Sequence, residues 1–358
     1  MRDWRDTAFS KRLGLRLPII QGPFGGGLSS VQLAAEVSNA GALGSFGAHQ
    51  LEPEEIIATA AAIRKRTDKP FALNLWLPFD GSDAPQASQS EIEHHLQALA
   101  PYFAELDAPL PQVPDRLSPV FEQQFEALLV ARPAVFSFVY GVPSAEQLQR
   151  CREHGITTLG AATTVEEAIH LERAGVDMLV ASGFEAGGHR VSFLRSPEDS
   201  LVGSISLVPQ IVDQVRIPVI AAGGIADARG ALAAQALGAA GVQIGTAFLA
   251  CAESGTNDLH RHMLFSTHAK HTCLTRRFSG RLARGICNRL TEQQGSFSVA
   301  PYPLQNWLMG QLKQAAIKAQ QPGLMSLWAG QSTPLLQHRR AQLLLDNIEH
   351  GVDQGYAH

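Results

Sequence analysis

The sequence predicts a (β/α)8 barrel with an insertion after its third strand and a helical cap at its C-terminal end. Three observations predict it. Eight short apolar runs recur along the 358 residues, helix-like segments separate most of them, and no G-x-G-x-x-G follows the first run. A doubly wound open sheet is the alternative, since it too is built of βα units. The count of eight and the missing dinucleotide signature favour the barrel.

The predicted strands are 17–23, 42–47, 71–78, 134–141, 157–163, 178–183, 218–224 and 241–249. Their apolar residues run on without alternation, as in parallel strands covered on both faces. Between them, SSVQLAAEVSNAG opens on serine and closes on glycine, an N-cap and C′ pair. PEEIIATAAAIRKRT opens on proline and acids and ends on bases, which suits the helix dipole. SAEQLQRCREHG, TVEEAIHLERAG and DARGALAAQALG repeat the design. Two stretches break the rhythm. Residues 79–130 contain the turn-rich FDGSDAPQASQS and then two helical patterns, an insertion on the rim. Residues 253–358 hold an Arg- and His-rich loop and helices such as PLQNWLMGQLKQAAIKAQ. The expected division is therefore a barrel over 1–252 and an extension over 253–358 that caps the catalytic face.

Bulk properties exclude several classes. Hydrophobic content of 45% and charged content of 17% suit a globular core. A net charge of −4 without a Lys/Arg run is no nucleic-acid footprint. The charged N-terminus MRDWRDTAFSKRLGL has no apolar core like a signal peptide's, and no stretch reaches the roughly 20 apolar residues of a membrane span. Cys151, Cys251, Cys273 and Cys287 form no CxxC pair, so neither a disulfide framework nor structural zinc is expected, and a reducing cytoplasm is.

In barrels the site lies at the C-terminal strand ends. There the chain places Gly22, Pro23 and Phe24, then Asn74, then SGFEAGGHR from Ser182 to Arg190, then Gly223 and Gly224, then Gln243, Ile244, Gly245 and Thr246. Glycine lets backbone N–H groups approach a ligand. Gly223–Gly224 and Gly245–Thr246 are placed to hold a phosphate by amides and one hydroxyl, with no lysine in either element. Tight turns are the other use of such glycines. His189 stands at a predicted strand end in a glycine-rich loop, where a neutral imidazole can take a proton. Glu185 can brace the same loop by accepting backbone N–H bonds. Arg190 reads equally as surface charge or as a lure for an anionic substrate. The tail histidines His260, His262, His268 and His271 read as solvated.

These motifs resemble the nitronate monooxygenases, formerly 2-nitropropane dioxygenases, and their class I members in particular. The resemblance runs nearly end to end: PIIQGPFGGG, NLWLP, LGAATTVEEA, GFEAGGHR, PVIAAGGI, GVQIGTAFLACAES, TRRFSGRLARGI and SLWAGQ. It implies an FMN-dependent monooxygenase that oxidises alkyl nitronates such as propionate 3-nitronate, and nitroalkanes, with molecular oxygen. It implies a cytoplasmic detoxification role, no metal and, for assembly, a homodimer. FMN contacts would fall on Gly22, Pro23, Asn74, Ser182, Gly187, Gly188, Gly223, Gly224 and Gln243 to Thr246. His189 would be the catalytic base, and Phe24, Tyr140 and Tyr302 would face the substrate. The chain departs from the family pattern at Ser182, where glutamine is frequent, at Val139, where histidine is, and at Val191, where glycine is. Related flavin barrels share the glycine motifs, so an FMN-dependent NAD(P)H reductase of the enoyl-acyl-carrier-protein or quinone type is the alternative. A flavin- or phosphate-binding barrel without turnover is a further one.

Overall fold

The computed structural model describes residues 3–78, 88–292 and 297–355. Eight parallel strands form the barrel: β1 (Ile19–Gln21), β2 (Gly44–Gly47), β3 (Phe71–Trp76), β4 (Val135–Val139), β5 (Thr157–Ala162), β6 (Met178–Ser182), β8 (Val219–Ala222) and β9 (Gly241–Ile244). A two-residue strand, β7 (Gly188–His189), lies outside it in the loop after β6. Each barrel strand pairs with its sequence neighbours, and β1 pairs with β9 in the register Ile20↔Gln243. Closure comes from β1 against β2, where Leu43 N donates to Ile19 O at 2.9 Å and Gln21 N to Leu43 O at 3.0 Å. The chain is a (β/α)8 barrel, as its periodicity predicts. The last predicted strand is shorter than expected. Residues 246–249 turn into a short helix, Thr246–Leu249, because Gly245 (φ −97°, ψ −81°) breaks the extended run.

Side-chain alternation sorts each strand into two faces. Ile20, Leu43, Ala72, Val135, Leu159, Met178 and Ile220 fill the barrel interior. Ile19, Leu73, Phe136, Leu179, Val219 and Val242 point outward to the helices. The helix Ala8–Leu13 brings Phe9 into the inner cluster, and a Cβ on Gly241 would lie 2.7 Å from the Phe9 ring. That glycine seats the aromatic plug.

The outer ring forms where local signals place it. Ser30, Ser144, Thr164 and Asp227 cap the helices Val31–Asn39, Ala145–Glu153, Val165–Ala174 and Ala228–Ala236 through their side chains. Two ring members depart from the expected division. Phe121–Ala131, assigned to the insertion, packs beside Pro53–Arg64 and β3. Ala341–Asp353, assigned to the cap, lies between Val31–Asn39 and Ala228–Ala236 and buries Leu344, Leu345 and Ile348 in the barrel's outer core. The chain therefore returns from its cap to complete the ring. The turn-rich start of the insertion, residues 79–87, lies outside the described residues.

The cap itself is built from Gln89–Glu105, Leu304–Lys318 and a three-stranded antiparallel sheet, β10 (Thr272–Thr275), β11 (Ala283–Ile286) and β7. Leu99, Tyr102 and Phe103 meet Leu308, Leu312 and Phe278 in its own apolar cluster. Among the described residues no helix is long and apolar enough to cross a membrane.

Candidate active site

A cleft of about 250 Å³ opens at the C-terminal ends of the strands and is roofed by the cap. Strand parity decides which predicted residues reach it. Asn74, Ser182 and Gln243 lie on the inward face and line the cleft, together with Gly22, Pro23 and Phe24. Ile244 is one residue out of step and is buried in the outer core. Tyr140 and Tyr302 are not on the wall either. They touch it through Trp76, with ring centroids 5.0 and 5.9 Å from the indole. Burial raises the Tyr140 phenol well above its ordinary pKa, and Arg281 covers its ring at 4.4 Å.

The floor is a backbone cradle. Gly223 and Gly224 have φ of 102° and 74°, which only glycine adopts without strain. The N–H groups of Gly223, Gly224 and Gly245 donate to no acceptor among the described residues, and all three residues line the cleft. A cluster of free amides at consecutive strand ends is the donor set that a phosphate requires. The Thr246 hydroxyl is already engaged, accepting from Gly330 N at 2.9 Å. Gly187 forms the seam with the cap, since a Cβ there would sit 2.5 Å from the Ala329 carbonyl carbon.

The loop after β6 is braced from below. Glu185 accepts from Ser204 N at 2.9 Å and from its hydroxyl at 3.0 Å. Arg190, read from sequence as surface charge or anion lure, is neither. It is fully buried and donates to the carbonyls of Gly183 (2.7 Å) and Ser182 (3.0 Å), closing the loop on itself. Glu167, also fully buried, accepts from Thr163 N at 2.6 Å and Phe193 N at 2.7 Å beneath it.

His189 rises from this base into the cleft. Its backbone is stitched to the cap, with β7 pairing Ala283↔His189 and Arg190 N donating to Leu282 O at 2.9 Å. Its Nε2 meets Ser279 Oγ at 2.7 Å. Trp76 stands edge-on to the ring at 5.0 Å and Trp328 tilts against it at 5.1 Å. Burial, with Arg281 adding to it, holds the imidazole well below its ordinary pKa, so it is neutral at pH 7.

Several wall residues carried no sequence assignment. His49 follows β2 and stacks flat on Trp76, with centroids 3.9 Å apart and planes at 5°. The strand-end rule that selected His189 also points to it. Trp76 and Trp328 sit inside quoted motifs. Ser279 also lies in such a motif, TRRFSGRLARGI, but nothing local pairs it with His189, 90 residues away. His260 overturns its solvated reading. It is fully buried, its Nε2 donates to Trp328 O at 3.0 Å, and burial depresses its pKa to about 3.

A barrel with an amide cradle facing a buried neutral imidazole defines a cofactor-assisted redox or proton-transfer enzyme. Comparison with known proteins narrows this. Residues 7–347 match the nitronate monooxygenase family model. Probable nitronate monooxygenases of several Staphylococcus aureus strains are 38% identical over 355 residues, covering 98% of both chains. The structure of a nitroalkane oxidase from Streptomyces ansochromogenes superposes with a TM-score of 0.84 at 35% identity, over 95% of this chain and 96% of that one. FabK from Thermotoga maritima is similar at a TM-score of 0.73 and 25% identity, over 98% and 96%. The chain belongs to the nitronate monooxygenase family and is a flavin-dependent oxidoreductase.

Proposed function

We propose that this enzyme binds FMN and oxidises alkyl nitronates, propionate 3-nitronate among them, and the parent nitroalkanes, with molecular oxygen as co-substrate. The observation that carries the reading is His189, a buried neutral imidazole held by Ser279 across a cleft from free backbone amides. The residues present fit the cofactor. The Gly223, Gly224 and Gly245 amides would take its phosphate, and Asn74, Ser182 and Gln243 would line its ring and side chain. When bound, the flavin accepts electrons from the electron-rich nitronate and passes them to oxygen.

The chain's own residues supply the proton chemistry. A nitronate is already deprotonated, whereas a neutral nitroalkane must first lose its α-proton. The Ser279 hydroxyl lies 3.3 Å from the Arg281 carbonyl. Donating there, it accepts from His189 Nε2–H and leaves Nδ1 with the lone pair that takes the α-proton. Trp76 and Trp328 exclude water from the ring. The nitronate anion formed beside the imidazolium offsets the cost of charging it there.

Anaerobic mixing with propionate 3-nitronate and, separately, with NADPH tests the reading. Rapid loss of oxidised-flavin absorbance with the nitronate and negligible loss with NADPH is expected. The reverse pattern would assign the enzyme to the NAD(P)H reductases. Mass spectrometry of the released flavin is expected to give FMN, and a mass that includes adenine would refute that part.

A further inference from the structure

The cleft contains a second imidazole that the proton chemistry above does not use. His49 leaves β2 directly into the wall and is only 9% exposed. Two contacts fix its plane. Trp76 covers one face at 3.9 Å with the rings parallel. The loop after β1 closes on its edge, where a Cβ on Gly25 would lie 2.2 Å from His49 Cε1. Any residue larger than glycine at position 25 would displace the ring. Gly26 N donates to the Gln50 side chain at 3.0 Å, which ties that loop to the residue beside His49.

The two nitrogens of His49 are not equivalent. Nδ1 is buried and has no hydrogen-bond partner. Nε2 is not among the enclosed, unpartnered atoms and has no hydrogen-bond partner among the described residues, and the residue lines the cleft, which makes Nε2 the nitrogen open to a ligand there. A buried N–H without an acceptor is rarer and costlier than a buried lone pair without a donor. The proton therefore belongs on Nε2, and a neutral imidazole there presents an N–H donor to the cleft. Burial, with His189 nearby, holds this ring's pKa down at about 3, so it stays neutral and does not compete as a base. Trp76 joins the two sites, with His49 on its face and His189 at its edge.

We propose that His49 is a substrate-binding residue that donates Nε2–H to a nitro or nitronate oxygen while His189 removes the α-proton. The inference rests on the functional reading above and gives the two imidazoles opposite roles, one donor and one acceptor. As the C–H bond breaks, its electron pair forms the C=N bond and negative charge collects on the nitro oxygens. A fixed donor aimed at that charge stabilises the transition state more than the neutral nitroalkane. A neutral imidazole suits the task, because a cation there would oppose formation of the His189 imidazolium.

Three variants test it, with flavin content measured first. His49→Phe keeps a stacking ring and removes the donor, whereas His49→Gln restores an N–H without the ring. In His49→Phe, kcat/KM for nitroethane is expected to fall at least tenfold, and binding of inorganic nitrate, read by isothermal titration calorimetry, to weaken at least fivefold. His49→Gln is expected to recover most of both losses. Gly25→Ala, which displaces the ring without changing it, is expected to lose nitrate binding as His49→Phe does. Values for His49→Phe within twofold of wild type would overturn the proposal. Equal losses in His49→Gln and His49→Phe would overturn it too, by reducing the ring to a packing element. Nitrate binding is independent of turnover. A wild-type enzyme that binds nitrate through His49 but is not reduced by nitronates would therefore refute the functional reading and leave the donor standing.

Discussion

The barrel and the cap place their functional groups by opposite means. The barrel presents backbone, with the unbonded amides of Gly223, Gly224 and Gly245 at two strand ends that line the cleft, in positions that follow from local periodicity. The cap presents and positions side chains through contacts between distant parts of the chain. Ser279 reaches His189 across 90 residues, and His260 reaches the Trp328 carbonyl across 68. The difference teaches where each substitution should act. Changes on the barrel side should alter cofactor retention by adding atoms. Changes on the cap side should alter proton chemistry by removing them.

The sharpest break in that comparison is His189→Asn. It leaves the amide cradle intact and removes the base. Activity on neutral nitroalkanes should fall about 10²- to 10⁴-fold, the usual worth of a positioned general base. Loss on preformed nitronates should be under about tenfold, since they have no α-proton to remove. Steady-state kinetics on nitroethane and ethyl nitronate decide it, and equal losses would sink the base assignment.

Gly187→Ala strikes the seam itself. Its Cβ would meet Ala329 backbone 2.5 Å away, so the cap must shift. Overpacking of this kind costs about 1–3 kcal/mol. A lowered Tm and protein that purifies with less flavin are expected. Full flavin occupancy at unchanged Tm would show that the seam is loose.

Ser279→Ala removes one hydrogen bond, at 2.7 Å, from His189. A net contribution of about 0.5–1.5 kcal/mol corresponds to about a two- to tenfold fall in kcat on nitroalkanes. The nitronate rate and flavin content should be unchanged. A parallel fall on both substrates would make Ser279 a packing residue rather than one that orients the base.

The smallest effect is on stability against pH. Burial depresses His49 and His260 from 6.5 to about 3, and it depresses His189 as well. Between those values the unfolded chain binds protons that the folded one refuses, so stability rises with pH. The contribution is complete above about pH 6.5 and is lost as pH falls toward 3. Urea midpoints should drop between pH 7 and 5. His260→Gln, which keeps a donor for the Trp328 carbonyl, should flatten that slope. An unchanged slope would show that His260 is not a contributor.

Much of the site was legible because barrel geometry maps strand ends to a cleft. Gly22, Asn74, Gly223 and Gln243 all followed from that rule, and His189 followed from its glycine-rich loop. From sequence Ile244 groups with Gln243, and the structure separates them by strand parity: Gln243 lines the cleft and Ile244 does not. Arg190 and His260 were misread for one physical reason. Both are polar, and only the folded chain brings the carbonyls that allow their burial.

The sequence by itself determined the barrel, most of its ring and the glycine cradle. Those depend on periodicity, capping and backbone freedom, which act over a few residues. Only the tertiary structure decided that the last helix completes the ring, that Ser279 orients His189, and that His49 lies flat on Trp76 with one nitrogen toward the cleft. These are pairings of distant segments. Nothing in either partner's local sequence encodes the other, because burial and hydrogen-bond satisfaction are properties of the closed chain.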